Sequence, residues 1–325
     1  MVKIVYADSF NLSNNGENAL SCLGSIYCLN LEQRDLLLEE CRDAHIIIAE
    51  YARIDKEIFA AAKALKGVVV YGVGTNHIDI EEASKRGIPV VNCQGANAEA
   101  VAELAVSMML ECLRWTGRAN EFVRGGNWGS ADSASLPRWM NGRELKGKKL
   151  GILGAGAIGS RIGELGEAFG MEVIAAVGRS KSHPRFPRKP LDEVLADSDI
   201  LSVSVPLTPE TRGLLSRERL EMMKDGAILV ITSRGGIVDE DALADLLESG
   251  RLGGACLDVF GEEPLPMHSP LLKAPNVVLT PHMGGSTEES VENISQIIAD
   301  SCRMILAGKI PPTAVNAEML GEKFR

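Results

Sequence analysis

The sequence predicts an α/β protein of two domains, each built on a parallel sheet. Short apolar runs alternate with helical patterns through nearly the whole chain, as β-α-β units require. A glycine fingerprint, GAGAIG at 154–159, opens a second series of such units. At 325 residues the chain is long enough for each domain to have a core of its own.

Taken in order, the first series is KIVYA (3–7), SIYCL (25–29), HIIIA (45–49), VVVYGVG (68–74) and PVVNC (89–93), which reads as five strands. AEAVAELAVSMMLECLRW (98–115) then reads as a long helix. The stretch 117–142 is rich in Gly, Ser and aromatics and has no clear period, so it is expected to be a long loop, either mobile or at a subunit contact. The second series is KLGILG (149–154), EVIAAV (172–177), DILSVSV (199–205), AILVIT (227–232), GACLDV (254–259) and NVVLT (276–280), six strands that suit a dinucleotide-binding sheet. STEESVENISQIIADSCRMILAG (286–308) offers Ser and Thr caps, acidic residues in its first turn, and Val291, Ile294, Ile298 and Ile305 on one helical face. That helix is expected to lead the chain back to the first domain. The expected division is 1–96 with 287–325 as a discontinuous domain and 97–286 as the second, with two crossings and a cleft between them; 98–142 is the candidate dimer contact.

Composition narrows the function classes. A hydrophobic share of 45% with 24% charged residues is that of a globular protein. The formal charge of −10 argues against the basic surface that nucleic-acid binding needs. No apolar run reaches the roughly 18 residues of a membrane span, and MVKIVYA reads as a strand rather than a signal peptide. The seven cysteines are odd in number and form no C-x-x-C, as free thiols in a reducing compartment do. The expected location is cytoplasmic.

GAGAIG follows an apolar strand and opens a helix carrying Ile158, Ile162, Leu165 and Phe169 at helical spacing. This is the context of a Rossmann-type doubly wound domain. Gly154 permits the tight turn, Gly156 lets a pyrophosphate approach the backbone, and Gly159 allows the helix to pack closely on the strand. An acidic residue normally grips the adenosine ribose some 20 residues on, but Val177, Gly178, Arg179 and Ser180 stand there. Arg179 offers a guanidinium and Ser180 a hydroxyl to a 2'-phosphate, which favours NADP(H). NAD(H) bound without its acidic clamp is the other reading, with Arg179 an ordinary loop residue. Lys181, His183 and Arg185 add positive charge nearby.

Three segments that directly follow apolar strands carry side chains out of place in a core: VITSRGG (230–236), CLDVFGEEP (256–264) and LTPHMGG (279–285). Ligands gather at the carboxyl ends of parallel strands, so Arg234, Glu263 and His282 are expected to converge there. Together they suffice for reducing a 2-oxo acid. Arg234 would hold the substrate carboxylate, and His282 would donate a proton to the carbonyl oxygen. Glu263 would orient the imidazole and favour its charged form. No metal is needed.

TSRGGIVDEDAL, LDVFGEEP and TPHMGGST, with GAGAIG and GVGTNHID (72–79), resemble the D-isomer-specific 2-hydroxyacid dehydrogenase family over nearly the whole chain. The resemblance implies a homodimer with a Rossmann-type cofactor domain and a smaller flavodoxin-like substrate domain made of both chain ends. It matches Arg234, Glu263 and His282 to the family's Arg, Glu and His. It assigns Val73 and Gly74 to the substrate carboxylate, and Ala157 and Ile158 to the pyrophosphate. It brings Thr232 and Asp258 to the nicotinamide, with Pro206, Ser233, Gly284 and Gly285 also beside the cofactor. VGRS is similar to the family's NADPH-preferring glyoxylate/hydroxypyruvate reductases, whereas GANAEAVAE (95–103) is similar to its phosphoglycerate dehydrogenases, so an NAD-dependent enzyme of that branch is the alternative. Those dehydrogenases often carry an Arg where this chain has Ala49; Arg53 is the neighbouring cation. A nucleotide-sensing binding protein of the co-repressor type is a further alternative on the same fold.

Overall fold

The computed structural model describes residues 2–31, 33–128, 137–176 and 185–320. It divides into two units, one formed by residues up to Asn97 with those from Ser286 onward, the other spanning Ala98–Gly285.

The first unit is built on β1 (Lys3–Tyr6), β2 (Ser25–Cys28), β3 (Ile46–Ala49), β4 (Gly67–Val70) and β5 (Val90–Val91). All pair in parallel in the order β2-β1-β3-β4-β5, the flavodoxin-like order. The central strands are apolar on both faces because helices cover both. Val5, Ile47 and Val68 join Leu37, Ile58 and Phe59 in one core layer. Their sequence neighbours Ile4, Ile46, Ile48 and Val69 join Leu20, Ile294, Ile298 and Ile305 in the other. The last three lie on the helix Glu288–Leu306, capped by Thr287, whose side chain accepts from Ser290 N–H. That helix returns the chain to the first sheet, as its sequence face predicts.

The second unit contains β6 (Lys149–Leu153), β7 (Glu172–Ala176), β8 (Arg188–Lys189), β9 (Ile200–Val203), β10 (Ile228–Ile231), β11 (Gly254–Leu257) and β12 (Val277–Leu279). The sheet order is β12-β11-β10-β9-β6-β7-β8. Read from β8, its first six strands follow the dinucleotide-fold order, and β12 extends the far edge. Among the described residues the sheet therefore has seven strands where the sequence reading gives six. The added strand, β8, is two charged residues paired with Ala175 and Ala176, and an edge strand so short has no apolar period to read.

A second difference concerns the stretch expected to be a loop. The helix Ala98–Arg114 ends at Trp115, which adopts a left-handed φ of 50° and donates its indole N–H to Asn276 Oδ1 at 2.7 Å. Thr116–Arg124 then forms another helix. It buries no residue, so its sequence shows no core-facing stripe. Residues 129–136 of that stretch lie outside the described set. Among the described residues no helix is long and apolar enough to cross a membrane.

Candidate active site

The turn after β6 lies where β9 and β7 flank β6 on opposite sides, the point at which the strand order reverses. Gly154 has φ 99°, a conformation that favours glycine. A Cβ on Gly159 would lie 2.1 Å from the Gly154 carbonyl oxygen, so helix Ala157–Ala168 seats against the strand only without a side chain there. Gly156 caps this helix with no side-chain hydrogen bond, which suits an anion at the first-turn amides of Ala157, Ile158 and Gly159.

Hydroxyls farther along the same sheet edge also suit a polar ligand. Thr232 and Ser233 follow β10, and the hydroxyl oxygens of both are buried with no hydrogen-bond partner among the described residues. Buried polar atoms call for partners, so these residues fit the amide end of a nicotinamide cofactor. Pro206 follows β9 and is exposed, and its carbonyl accepts from the Thr211 hydroxyl at 2.6 Å. Val177, Arg179, Ser180, Lys181 and His183, on which the choice between NADP(H) and NAD(H) rests, lie outside the described residues. Arg185 is described, and it pairs with Glu164 at 3.0 Å and Glu167 at 2.6 Å on the glycine-turn helix.

The three candidate catalytic side chains follow three adjacent parallel strands: Arg234 after β10, Glu263 after β11 and His282 after β12. The first two loops touch closely. A Cβ on Gly235 would fall 1.7 Å from the Phe260 carbonyl oxygen, so only glycine lets the backbones approach. Phe260 N–H in turn donates to Glu263 Oε1 at 2.9 Å. The other carboxylate oxygen, Oε2, is 2.7 Å from His282 Nδ1. The carboxylate is thus fixed by a backbone donor on one side and holds the imidazole on the other. Arg234 lies one loop away, half-buried, with Nη1 donating to the Ser233 carbonyl at 2.7 Å.

His282 itself has φ 52°, uncommon for a residue with a Cβ. Asp258 holds it there. This side chain is 1% exposed. Its Oδ1 accepts from the Thr280 hydroxyl at 2.6 Å and from Met283 N–H at 2.9 Å, and its Oδ2 accepts from Gly284 N–H at 2.8 Å. The resemblance gives Asp258 and Gly284 to the cofactor; in the structure the two also engage each other and clamp both sides of the histidine. Gly285 follows, half-buried.

A second brace escaped the sequence reading altogether. Glu240 accepts from Gly261 N–H at 2.6 Å and so steadies the turn that precedes Glu263. Burial raises its carboxyl above the ordinary value against that hydrogen bond, with Asp241 and Glu263 adding repulsion. Its only signal in sequence is an acidic residue opening the helix Glu240–Glu248 after a glycine turn.

In the first unit, Val73 and Gly74 follow β4 in a half-buried turn, with the Val73 carbonyl accepting from Asn92 Nδ2 at 2.8 Å. All of these candidates therefore lie at carboxyl ends of parallel strands, the edge where such sheets bind ligands.

The chain is similar to known proteins over most of its length. The profile of the D-isomer specific 2-hydroxyacid dehydrogenase NAD binding domain matches residues 106–284. The chain is 38% identical over 292 residues to a glyoxylate reductase of Pyrococcus horikoshii, covering 88% of this chain and 87% of that protein. Among solved structures, a Thermus thermophilus protein is 34% identical and superposes with a TM-score of 0.88, covering 97% of this chain and 100% of that one. The NADPH-dependent glyoxylate/hydroxypyruvate reductase of Sinorhizobium meliloti, solved with citrate, is 27% identical with a TM-score of 0.86, covering 98% of this chain and 99% of that one. The chain belongs to the D-isomer-specific 2-hydroxyacid dehydrogenases and is an NAD(P)-dependent dehydrogenase.

Proposed function

We propose that the chain reduces small 2-oxo acids, glyoxylate and hydroxypyruvate among them, with His282 as proton donor, Glu263 as its partner and Arg234 as the carboxylate-binding residue. The observation that carries this reading is the 2.7 Å pair of His282 Nδ1 and Glu263 Oε2, placed one loop from Arg234 at the carboxyl edge of a dinucleotide sheet. The cofactor would be held by Gly154, Gly156, Ala157, Ile158 and Gly159 at its pyrophosphate, and by Thr232 and Ser233 at its nicotinamide. Pro206 and Gly285 would lie alongside. When bound, the reduced nicotinamide supplies a hydride to the substrate's carbonyl carbon.

The residues supply the rest. Arg234 can turn its remaining N–H groups to the substrate carboxylate and stabilise negative charge on the carbonyl oxygen. With Nδ1 committed to Glu263, Nε2 of His282 is the atom that delivers the proton. Glu263 keeps that imidazole in one orientation and balances its positive charge, and the Asp258 clamp fixes the loop beneath it. In the reverse direction the same Nε2 takes the proton back. On the family resemblance alone, Val73 and Gly74 are assigned to the substrate carboxylate through their backbone N–H groups.

NADP(H) is the favoured cofactor in this reading, on the strength of Arg179 and Ser180 where an acidic residue would select NAD; NAD(H) remains usable. A homodimer is part of the proposal too, supported by the helix Thr116–Arg124, which buries nothing and leaves Val123 49% exposed. The test is steady-state kinetics on a panel of 2-oxo acids with NADPH and with NADH. Turnover of glyoxylate and hydroxypyruvate with higher kcat/KM for NADPH is expected. Reduction of no 2-oxo acid would overturn the reaction, and preference for NADH would overturn the cofactor choice alone.

A further inference from the structure

The peptide that joins Val73 to Gly74 is held by a side chain from the neighbouring strand end. It matters through the proposed assignment of these two residues to the substrate carboxylate, on which the inference rests. Gly72, just before them, has φ 119°, a conformation that favours glycine. Its carbonyl accepts from Cys93 N–H at 2.7 Å, and the next carbonyl, that of Val73, accepts from Asn92 Nδ2 at 2.8 Å. The amides concerned are available: among the described residues neither Val73 nor Gly74 donates its N–H to a protein acceptor.

Asn92 is itself firmly placed. It follows β5, is 5% exposed, and donates its own N–H to the Thr313 carbonyl at 3.4 Å. β5 has only two residues, but the segment 313–316 grips its outer edge. Val315 N–H donates to the Val90 carbonyl at 2.8 Å, and Val90 N–H donates to Asn316 Oδ1 at 2.9 Å. Asn92 Oδ1 is buried with no partner among the described residues, so the bond to Val73 is the one use the structure shows for this buried side-chain amide.

A peptide unit is planar and, being trans here, points its C=O and N–H in opposite directions. Holding the Val73 carbonyl therefore aims Gly74 N–H away from Asn92. Gly74 adds no such constraint, because glycine accepts either orientation of the peptide before it. Released from Asn92, the unit can turn over and set a carbonyl oxygen where the N–H stood, which repels a carboxylate.

We propose that Asn92 is a positioning residue for the substrate carboxylate, fixing the Val73–Gly74 peptide so that Gly74 N–H stays directed at that group. It acts through the backbone. Its contribution is that of one hydrogen bond to a charged acceptor, about tenfold or more in substrate affinity. The effect falls on KM, because the carboxylate is held alike before and during hydride transfer.

The test compares the wild type with Asn92→Leu and Asn92→Ala, each as the intact protein, on glyoxylate and hydroxypyruvate at saturating reduced nicotinamide. Leucine keeps the bulk of the side chain without a donor, and alanine covers the case in which leucine disturbs the packing. KM for both acids is expected to rise about tenfold or more in each variant, with kcat within about threefold and nucleotide affinity within about twofold of the wild type. A residue that only supports the fold would lower kcat, nucleotide affinity and melting temperature together with substrate affinity. KM unmoved in both variants, or kcat and nucleotide affinity falling in step with it, would overturn the inference. A rise of KM in Arg234→Ala alongside such a result would leave the carboxylate-binding reading standing. Reduction of neither acid by the wild type would remove that reading and this inference with it.

Discussion

Substituting Glu50 by Gln is expected to change stability, with a sign and size that follow from the carboxyl's surroundings. Its folded value is about 7 against an ordinary 4.5, raised by burial and by Asp8. Between those values the folded chain holds a proton that the unfolded chain has released. Stability from this group is therefore full below the unfolded value and is lost as pH rises through about 7. The difference of about 2.5 units corresponds to at most roughly 3 kcal/mol, and solvent reaching this incompletely buried side chain reduces it to about 1–2 kcal/mol. Glutamine, nearly the same shape and never charged, removes the penalty at alkaline pH and changes little in acid. The assay is thermal unfolding of both proteins across pH 5 to about 8.5. Glu50→Gln is expected to melt about 3–6 °C above the wild type at the alkaline end, and within about 1 °C of it at pH 5. Effects of other titrating groups cancel in the difference. A gap that stays constant with pH, or one that favours the wild type at the alkaline end, would show that the carboxyl is not held in its costly charged form.

Other substitutions separate the parts of the active site. His282→Ala is expected to lower kcat by at least about 100-fold while nucleotide binding, followed by quenching of protein fluorescence, persists; wild-type-like turnover would end the proton-donor assignment. Arg179→Ala is expected to weaken NADPH use far more than NADH use, and equal losses would remove the case made from VGRS. Asp258→Asn presents an NH2 group to backbone donors that now meet a carboxylate oxygen, so a cost of about 2 kcal/mol in stability is expected. Its kcat is expected to fall about tenfold as the histidine loop loosens; unchanged melting and turnover would show that the clamp is dispensable.

The parts of this molecule that were legible in the sequence are those set by local pattern. GAGAIG announces itself because the tight turn and the helix seated on the strand both require glycine within six residues. Strands β1, β3, β4, β6, β9, β10 and β11 show as apolar runs because both sheet faces are covered. What stayed hidden depends on contacts between distant residues or on no burial at all. Asp8 serves amides 42 positions away, and no periodicity records such a bond. Asp258 was visible as a polar residue at a strand end, but its hydrogen bonds to Thr280, Met283 and Gly284, more than 20 positions on, were not. The helix Thr116–Arg124 and the edge strand β8 escaped notice because neither contributes an apolar face. Arg234, Glu263 and His282 were recognisable as chemistry following strands, while the 2.7 Å contact between the last two needed the sheet order that sets β11 beside β12.

The return of the helix Glu288–Leu306 to the first sheet has a bearing on synthesis. Ile4, Ile46, Ile48 and Val69 emerge early from the ribosome, yet Ile294, Ile298 and Ile305, which cover that face, come well over 200 residues later. The intervening unit, Ala98–Gly285, holds every described strand of its own sheet and can mature while the earlier one still waits for its cover. The first unit's sheet is thus begun before the second unit yet completed after it, and a nascent chain stalled before residue 288 would expose an uncovered greasy sheet for chaperones to guard.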